Sequence, residues 1–233
     1  GDEIEDVVIL PGAVGSNEDR VYYQSSRSVD GSTVRYLEKW AKESECVGGT
    51  LNKQADSFVT FTNSPASATV TGLGHLEGEE VIVWADGKCL RDTDDAIETF
   101  TVSSGSITLT NDGSSYTATT GIVGLYYEAD WENARLGRNL GLNGRVDHLS
   151  LILADTHMRG LRVGPSLTAS QMDYLPLTKD GSNVDEDTIY STYDQPPMEF
   201  PSRWSTEPRV CLKAAAPRPA TVLAAVATGE FYG

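Results

Sequence analysis

The sequence predicts a mainly β fold: an antiparallel sandwich- or barrel-like body, a small inserted β-barrel, and one or two short helices. Three observations carry this reading. Apolar and β-branched residues come in short runs, each closed by Gly, Asp-Gly or Asn-Asp-Gly. Asp30-Gly31 separates two β-rich runs, and Asp-Gly supplies the positive φ that a tight hairpin turn demands. From Ser57 onward, strand-like runs follow one another with turn chemistry between them, the pattern of a small barrel or sandwich. The 233 residues suffice for one large or two small domains.

In chain order, "DVVILPG" reads as a short apolar strand broken by Pro11 and Gly12. "RVYYQSSRSV", the Asp30-Gly31 turn and "STVRYLEKWAKES" form a hairpin. Tyr36, Leu37, Trp40 and Ala41 also fall at helical spacing, so the expectation is a strand that runs into a short helix. "CVGGTLNKQAD" is a loop. "SFVTFT", "ATVTGL", "EEVIVWADG", "ETFTVSSG", "SITLTNDG" and "SYTATTGIVGLYYEAD" then read as successive strands. In "EEVIVWADG", Val81, Val83 and Ala85 share one face and Ile82 and Trp84 the other; a strand apolar on both faces belongs inside a sheet.

A polar, Gly-rich link, "WENARLGRNLGLNG", precedes the strand "RVDHLSLILAD". Alternation places Val146, His148, Ser150, Ile152 and Ala154 on one face and Leu149, Leu151 and Leu153 on the other. "RGLRVGPS" is a shorter strand. "LTKDGSNVDEDTIYSTYDQPPMEFPS" reads as a long loop region with weak strand content. The closing run "ATVLAAVA" fits a strand or a short helix; Val222 and Val226 favour the strand, entered through a kink at Pro217 and Pro219. The expected division is residues 1–56 as an N-terminal β segment of the body, 57–127 as the small inserted barrel, and 128–233 as the remaining body, packing with 1–56.

The 34 acidic residues outnumber 18 basic ones, a net charge of −16. Such a surface has too few cations for broad phosphate binding, although an acidic wall keeps a nearby polyanion from sticking. No apolar run reaches the roughly 20 residues of a membrane helix. The opening "GDEIEDVVIL" has no basic n-region, so no signal peptide is expected; it also lacks an initiator Met, so a fragment or processed product is expected. Cys46, Cys89 and Cys211 are odd in number, lack metal-ligand spacing and read as reduced thiols, with a single disulfide as the alternative.

Each cluster that invites a chemical reading has a plainer one. His75 and Glu77 in "GLGHLEGEE" suggest acid–base work, but the "EG" and "DG" pairs mark turns, with Asp86 shaping the second. His148 and His157, with Asp147 and Asp155, suggest a metal, yet the histidines lie roughly 30 Å apart along a straight strand. Asp92, Asp94 and Asp95, and again Asp180, Asp185, Glu186 and Asp187, suggest Ca²⁺, but neither segment has the EF-hand order. Glu128, Asp130 and Glu132 around Trp131 suggest a glycosidase pair without its cross-strand spacing. No catalytic residue, cofactor or metal ligand is assigned.

Five segments occur as an ordered set: "DGSTVRYLEKWA" (30–41), "VTGLGHLEGEEVIVWADGKCL" (70–90), "VSSGSITL" (102–109), "GIVGLYYEADWE" (121–132) and "APRPATVLAAVATGEF" (216–231). Together they resemble the C-terminal part of the tail nozzle or tail-tube proteins of short-tailed bacteriophages. The last motif departs from the family's Pro-Leu-Pro, reading "APRPAT" here. The resemblance implies a non-enzymatic virion protein, assembled in the host cytoplasm into a homo-oligomeric ring, commonly a hexamer, around the DNA exit channel. It implies contacts with a tail adaptor and with fibre or adhesin proteins, DNA passing without specific binding, and no membrane span. Family members are usually longer, so an N-terminal part is expected to be missing. A receptor- or carbohydrate-binding tail module is the alternative, with "VYYQ" and "LYYE" as stacking candidates; a glycan depolymerase is the further one.

Overall fold

The computed structural model describes residues 3–12, 15, 18–46, 51–136 and 143–232. Residues 47–50 of the expected loop and 137–142 of the expected Gly-rich link lie outside the described residues. The fold is mainly β, and its strand pairs are antiparallel. The chain divides into two compact units, Gly1–Tyr126 and Tyr127–Gly233. No described helix is long and apolar enough to cross a membrane.

The first unit opens with a three-stranded sheet in the order β1 (Glu3–Leu10), β2 (Arg20–Val29), β3 (Ser32–Lys39). Asp30 and Gly31 both take positive φ between β2 and β3, as their dipeptide predicts. The helical pattern after Tyr36 is realised only as α1 (Glu43–Cys46), beyond the end of the strand. Cross-strand pairing of β3 with β2 fixes Tyr36 and Leu37 as strand residues and overrides their helical spacing.

Next come β4 (Asp56–Ser67), β5 (Thr69–Thr71), a 3-10 turn at Gly74–Leu76, β6 (Glu80–Ala85), β7 (Lys88–Cys89), β8 (Thr99–Thr101), β9 (Ser106–Thr108), β10 (Thr110–Asn111), β11 (Ser114–Ser115) and β12 (Ala118–Leu125). Strands β4, β12, β6 and β7 form one sheet with β8 also on β6, while β5 pairs with β9. Residues 81–85 of β6 are all buried, as their two apolar faces require of an interior strand. Val81, Val83, Phe61 and Val123 of the larger sheet pack with Val70 and Ile107 of the smaller one in a single core. Gly121 lets β12 lie close to β6: a methyl group there would meet the Trp84 carbonyl oxygen and approach the Phe61 ring to 2.7 Å.

The second unit contains β13 (Glu128–Glu132), β14 (Asn143–His157), β15 (Leu161–Gly164), a 3-10 turn at Ala169–Gln171, β16 (Asp173–Tyr174), β17 (Thr178–Lys179), β18 (Ser182–Asn183), β19 (Ile189–Glu199), β20 (Cys211–Ala215) and β21 (Thr221–Tyr232). One sheet runs β13-β20-β15-β16 and another β19-β14-β21. Leu149, Leu151 and Leu153 of β14 pack with Met158, Leu161, Val163 and Leu212.

Two expectations fail here for identifiable reasons. Val146 is buried with the leucines, not exposed with His148. The register with β21 shifts between Val146 and His148, and a bulge of this kind moves every side chain before it to the other face. Gly229 serves the same irregularity, because a Cβ there would strike the Arg145 carbonyl. Residues 189–199 form an eleven-residue strand, not a loop. Pro196 and Pro197 fall where the register shifts between Leu149 and Leu151, and β19 lies at a sheet edge, the place that tolerates proline.

Candidate interaction surfaces

The polar residues singled out in the sequence are dispersed, and their contacts are architectural. His75 Nε2 lies 3.2 Å from the Ser57 carbonyl oxygen, and its own carbonyl accepts from the Tyr36 hydroxyl at 3.1 Å. The Glu77 carboxylate accepts backbone N–H groups of Ser104 and Gly105 at 2.7 and 2.6 Å. The Asp86 carboxylate accepts the N–H groups of Thr119 and Thr120. Each acid thus ties down backbone donors at the turn or strand end beside it. The stretch Gly72–Gly87 is a turn–strand–turn scaffold held by its own carboxylates.

The remaining clusters resolve in the same way. His148 and His157 both lie on β14, the first exposed and the second buried with Nδ1 accepting the Arg159 N–H at 3.1 Å. Asp92 accepts from the Asp94 and Ala96 amides, and Arg91 pairs with Asp95. Asp180 takes positive φ beside Gly181, Asp185 accepts the Asp187 amide, and Glu186 receives two hydrogen bonds from Arg159. Glu128 and Asp130 share Lys213 at 2.7 and 3.4 Å, and Glu132 pairs with Arg209. Among the described residues no group of three or more His, Cys, Asp or Glu side chains is placed to hold a metal.

The cysteines form no disulfide. Burial, reinforced by the neighbouring Glu132 carboxylate, pushes the Cys211 thiol up to about 11. A thiol so raised stays protonated and is a poor nucleophile at neutral pH. Of the Tyr pairs, Tyr22 and Tyr23 are half-buried, Tyr126 is exposed and Tyr127 half-buried.

What the surface does present is apolar. Every residue of β1 is exposed, including Ile4, Val7, Val8, Ile9 and Leu10, and on β3 Leu37 is 76% exposed with Trp40 next to it at 67%. Full burial of one such side chain is worth about 1.5–3 kcal/mol. Both strands are edges of their sheet among the described residues, so each offers an open row of backbone donors and acceptors. No sequence signal short of the pairing order reveals this, because β1 reads like any buried strand.

The two faces of this sheet differ. The inner face holds a polar knot. Arg27 donates to both Glu38 oxygens at 2.9 and 3.0 Å and to the Ser57 hydroxyl, while the Ser25 hydroxyl donates to Glu38 at 2.6 Å. The cross-strand register adds Val7 and Tyr36 to that face. The outer face carries Glu3 and Asp6 on β1 and Arg35, Leu37 and Lys39 on β3. Across β2, Arg35 reaches Glu5 at 2.7 Å, and this guanidinium, with Gln24, holds the Glu5 carboxyl below its ordinary range.

A separate apolar surface belongs to the second unit. Ile152 and Val226 lie on the uncovered face of the β14–β21 pair, with Leu223 also exposed. Near its end Trp204 and Tyr232 pack with ring centres 5.1 Å apart, and Arg145 sits 5.8 Å over Trp204. Exposed Trp, Tyr and Arg together are the composition of interface anchor points.

No family model matches the chain, and no curated protein matches it.

Proposed function

We propose that this chain is a structural subunit of a bacteriophage tail, a nozzle or tail-tube component that assembles into a ring around the DNA exit channel. The observation that carries the assembly reading is the run of exposed large apolar residues along edge strands: β1 and β3 in one unit, β21 in the other. A chain that leaves such edges open pairs with other chains or aggregates. The placement of the acids supports a non-enzymatic role, because the candidate carboxylates serve turns and ion pairs. The resemblance of the five ordered segments supplies the tail identity. The net charge of −16 suits a lumen through which DNA must slide without sticking.

Trp204, Tyr232 and Arg145 favour a second reading, a receptor- or carbohydrate-binding tail module, since stacked exposed aromatics are what sugar faces require. Negative-stain images of the purified full-length protein separate the readings. Annular particles with an open lumen are expected. Isolated compact particles with specific retention on a glycan array would replace the ring by the binding module, and release of reducing ends from capsule or lipopolysaccharide would replace both by a depolymerase.

A further inference from the structure

The two edges of the β1–β2–β3 sheet are complementary to each other. They have equal length, eight residues each. On the outer face, β1 presents the carboxylates of Glu3 and Asp6, with Glu5 beside them, and β3 presents the Arg35 guanidinium, while Lys39 at its end is paired with Glu45 at 2.8 Å. Arg35 keeps 61% of its side chain exposed despite its bond to Glu5. On the inner face, Val7 of β1 is exposed and apolar, and Trp40 follows β3 with its amide bonded to the Val21 carbonyl, opposite Ile9. Placing two β1 strands side by side would instead bring the Glu3 and Asp6 carboxylates of each copy to one seam, with Arg35 already engaged by Glu5, at a cost from like charges.

We propose that β1 of one copy pairs with β3 of the next, so that the sheets of successive subunits join edge to edge. This rests on the reading of the chain as a ring subunit. Both β1 and β3 run antiparallel to β2 and are therefore parallel to each other. A rotation about an axis along the strands preserves their direction, so the seam is a parallel pair. It is heterologous: one edge meets the other, and the joint closes into a ring when the rotation per subunit divides a full turn. Within one sheet, Glu3 and Arg35 both face Ser26, which sets them level. The seam at the same level puts Glu3 beside Arg35 of the neighbour.

Disulfide trapping tests this directly. Within one copy Glu3 and Arg35 are separated by β2, two strand spacings or roughly 10 Å. That exceeds the ~7 Å limit between Cα atoms for a disulfide. A bond between Glu3→Cys and Arg35→Cys must therefore join two copies. In full-length protein carrying Cys46→Ser, mild oxidation of E3C/R35C is expected to give a ladder of covalent multimers, while E3C alone and R35C alone give none. E3C/L37C covers a slip of two residues. Rings that form normally while neither double variant gives a ladder would overturn the seam and leave the ring reading intact. Covalent dimers from E3C alone as abundant as the ladder would overturn it in favour of like-edge pairing. Protein that is monomeric both in solution and in particles would overturn the ring reading and the seam together.

Discussion

The knot of Arg27, Glu38, Ser25 and Ser57 fastens the β2–β3 hairpin to the start of β4, and removing one charge from it tests that role quantitatively. The side chains of Arg27 and Glu38 are 8% and 15% exposed. Glu38→Ala removes the acceptor of two Arg27 bonds, one Ser25 bond and one Ser57 bond, while the Arg27 contacts with Ser57 and with the face of Tyr36, 5.8 Å away, remain. Truncating one partner of a buried pair costs about 3–5 kcal/mol, chiefly because the other charge loses its compensation. The residual exposure and the surviving Ser57 contact place this site near the lower end, about 3 kcal/mol, or roughly 10 °C in melting temperature. Replacing both charges, as in Arg27→Met with Glu38→Leu, removes the desolvation cost together with the attraction and is expected to fall within about 1 kcal/mol of the parent. Urea titration followed by tryptophan fluorescence measures both. A loss below 1 kcal/mol for Glu38→Ala, or a double variant as unstable as the single one, would refute the assignment of this pair as the fastening of the hairpin.

Other consequences follow from the same geometry. Glu77→Ala leaves the Ser104 and Gly105 amides to water and is expected to lower stability by about 0.5–1.5 kcal/mol; a melting curve unchanged from the parent would contradict the scaffold role. Gly121→Ala forces a methyl group into the Trp84 carbonyl and the Phe61 ring, with an expected loss of about 1–3 kcal/mol, read by denaturant titration. The raised Cys211 pKa makes the folded state hold a proton that the unfolded state releases. Stability from this source is therefore full below about pH 9 and is lost as pH rises through about 11. Cys211→Ala should flatten that part of the profile relative to the parent, a comparison that cancels the raised tyrosines Tyr23, Tyr116 and Tyr193.

Much of the fold is local in origin and so legible in the sequence. Asp30-Gly31 has one conformational use, and "VIVWA" has two apolar faces that only a sheet interior can bury. The misread elements are those decided by partners distant in the chain. Val146 changes face because its register with β21 shifts, and "IYSTYDQPPME" is a strand because β14 lies alongside and the edge position forgives its prolines. The roles of Glu77 and Asp86 were hidden for a related reason: their backbone partners lie 27 to 34 residues away in sequence. Edge exposure was the least legible feature, since an apolar strand looks the same in sequence whether its neighbour is in the same chain or another.

The claim that these edges are covered by other chains is tested most directly by the mass of the purified full-length protein over a range of concentrations, by sedimentation velocity. The account predicts a closed species of several copies, growing at the expense of monomer as concentration rises. A single monomeric species at every concentration, together with absence of the chain from isolated tails, would contradict it.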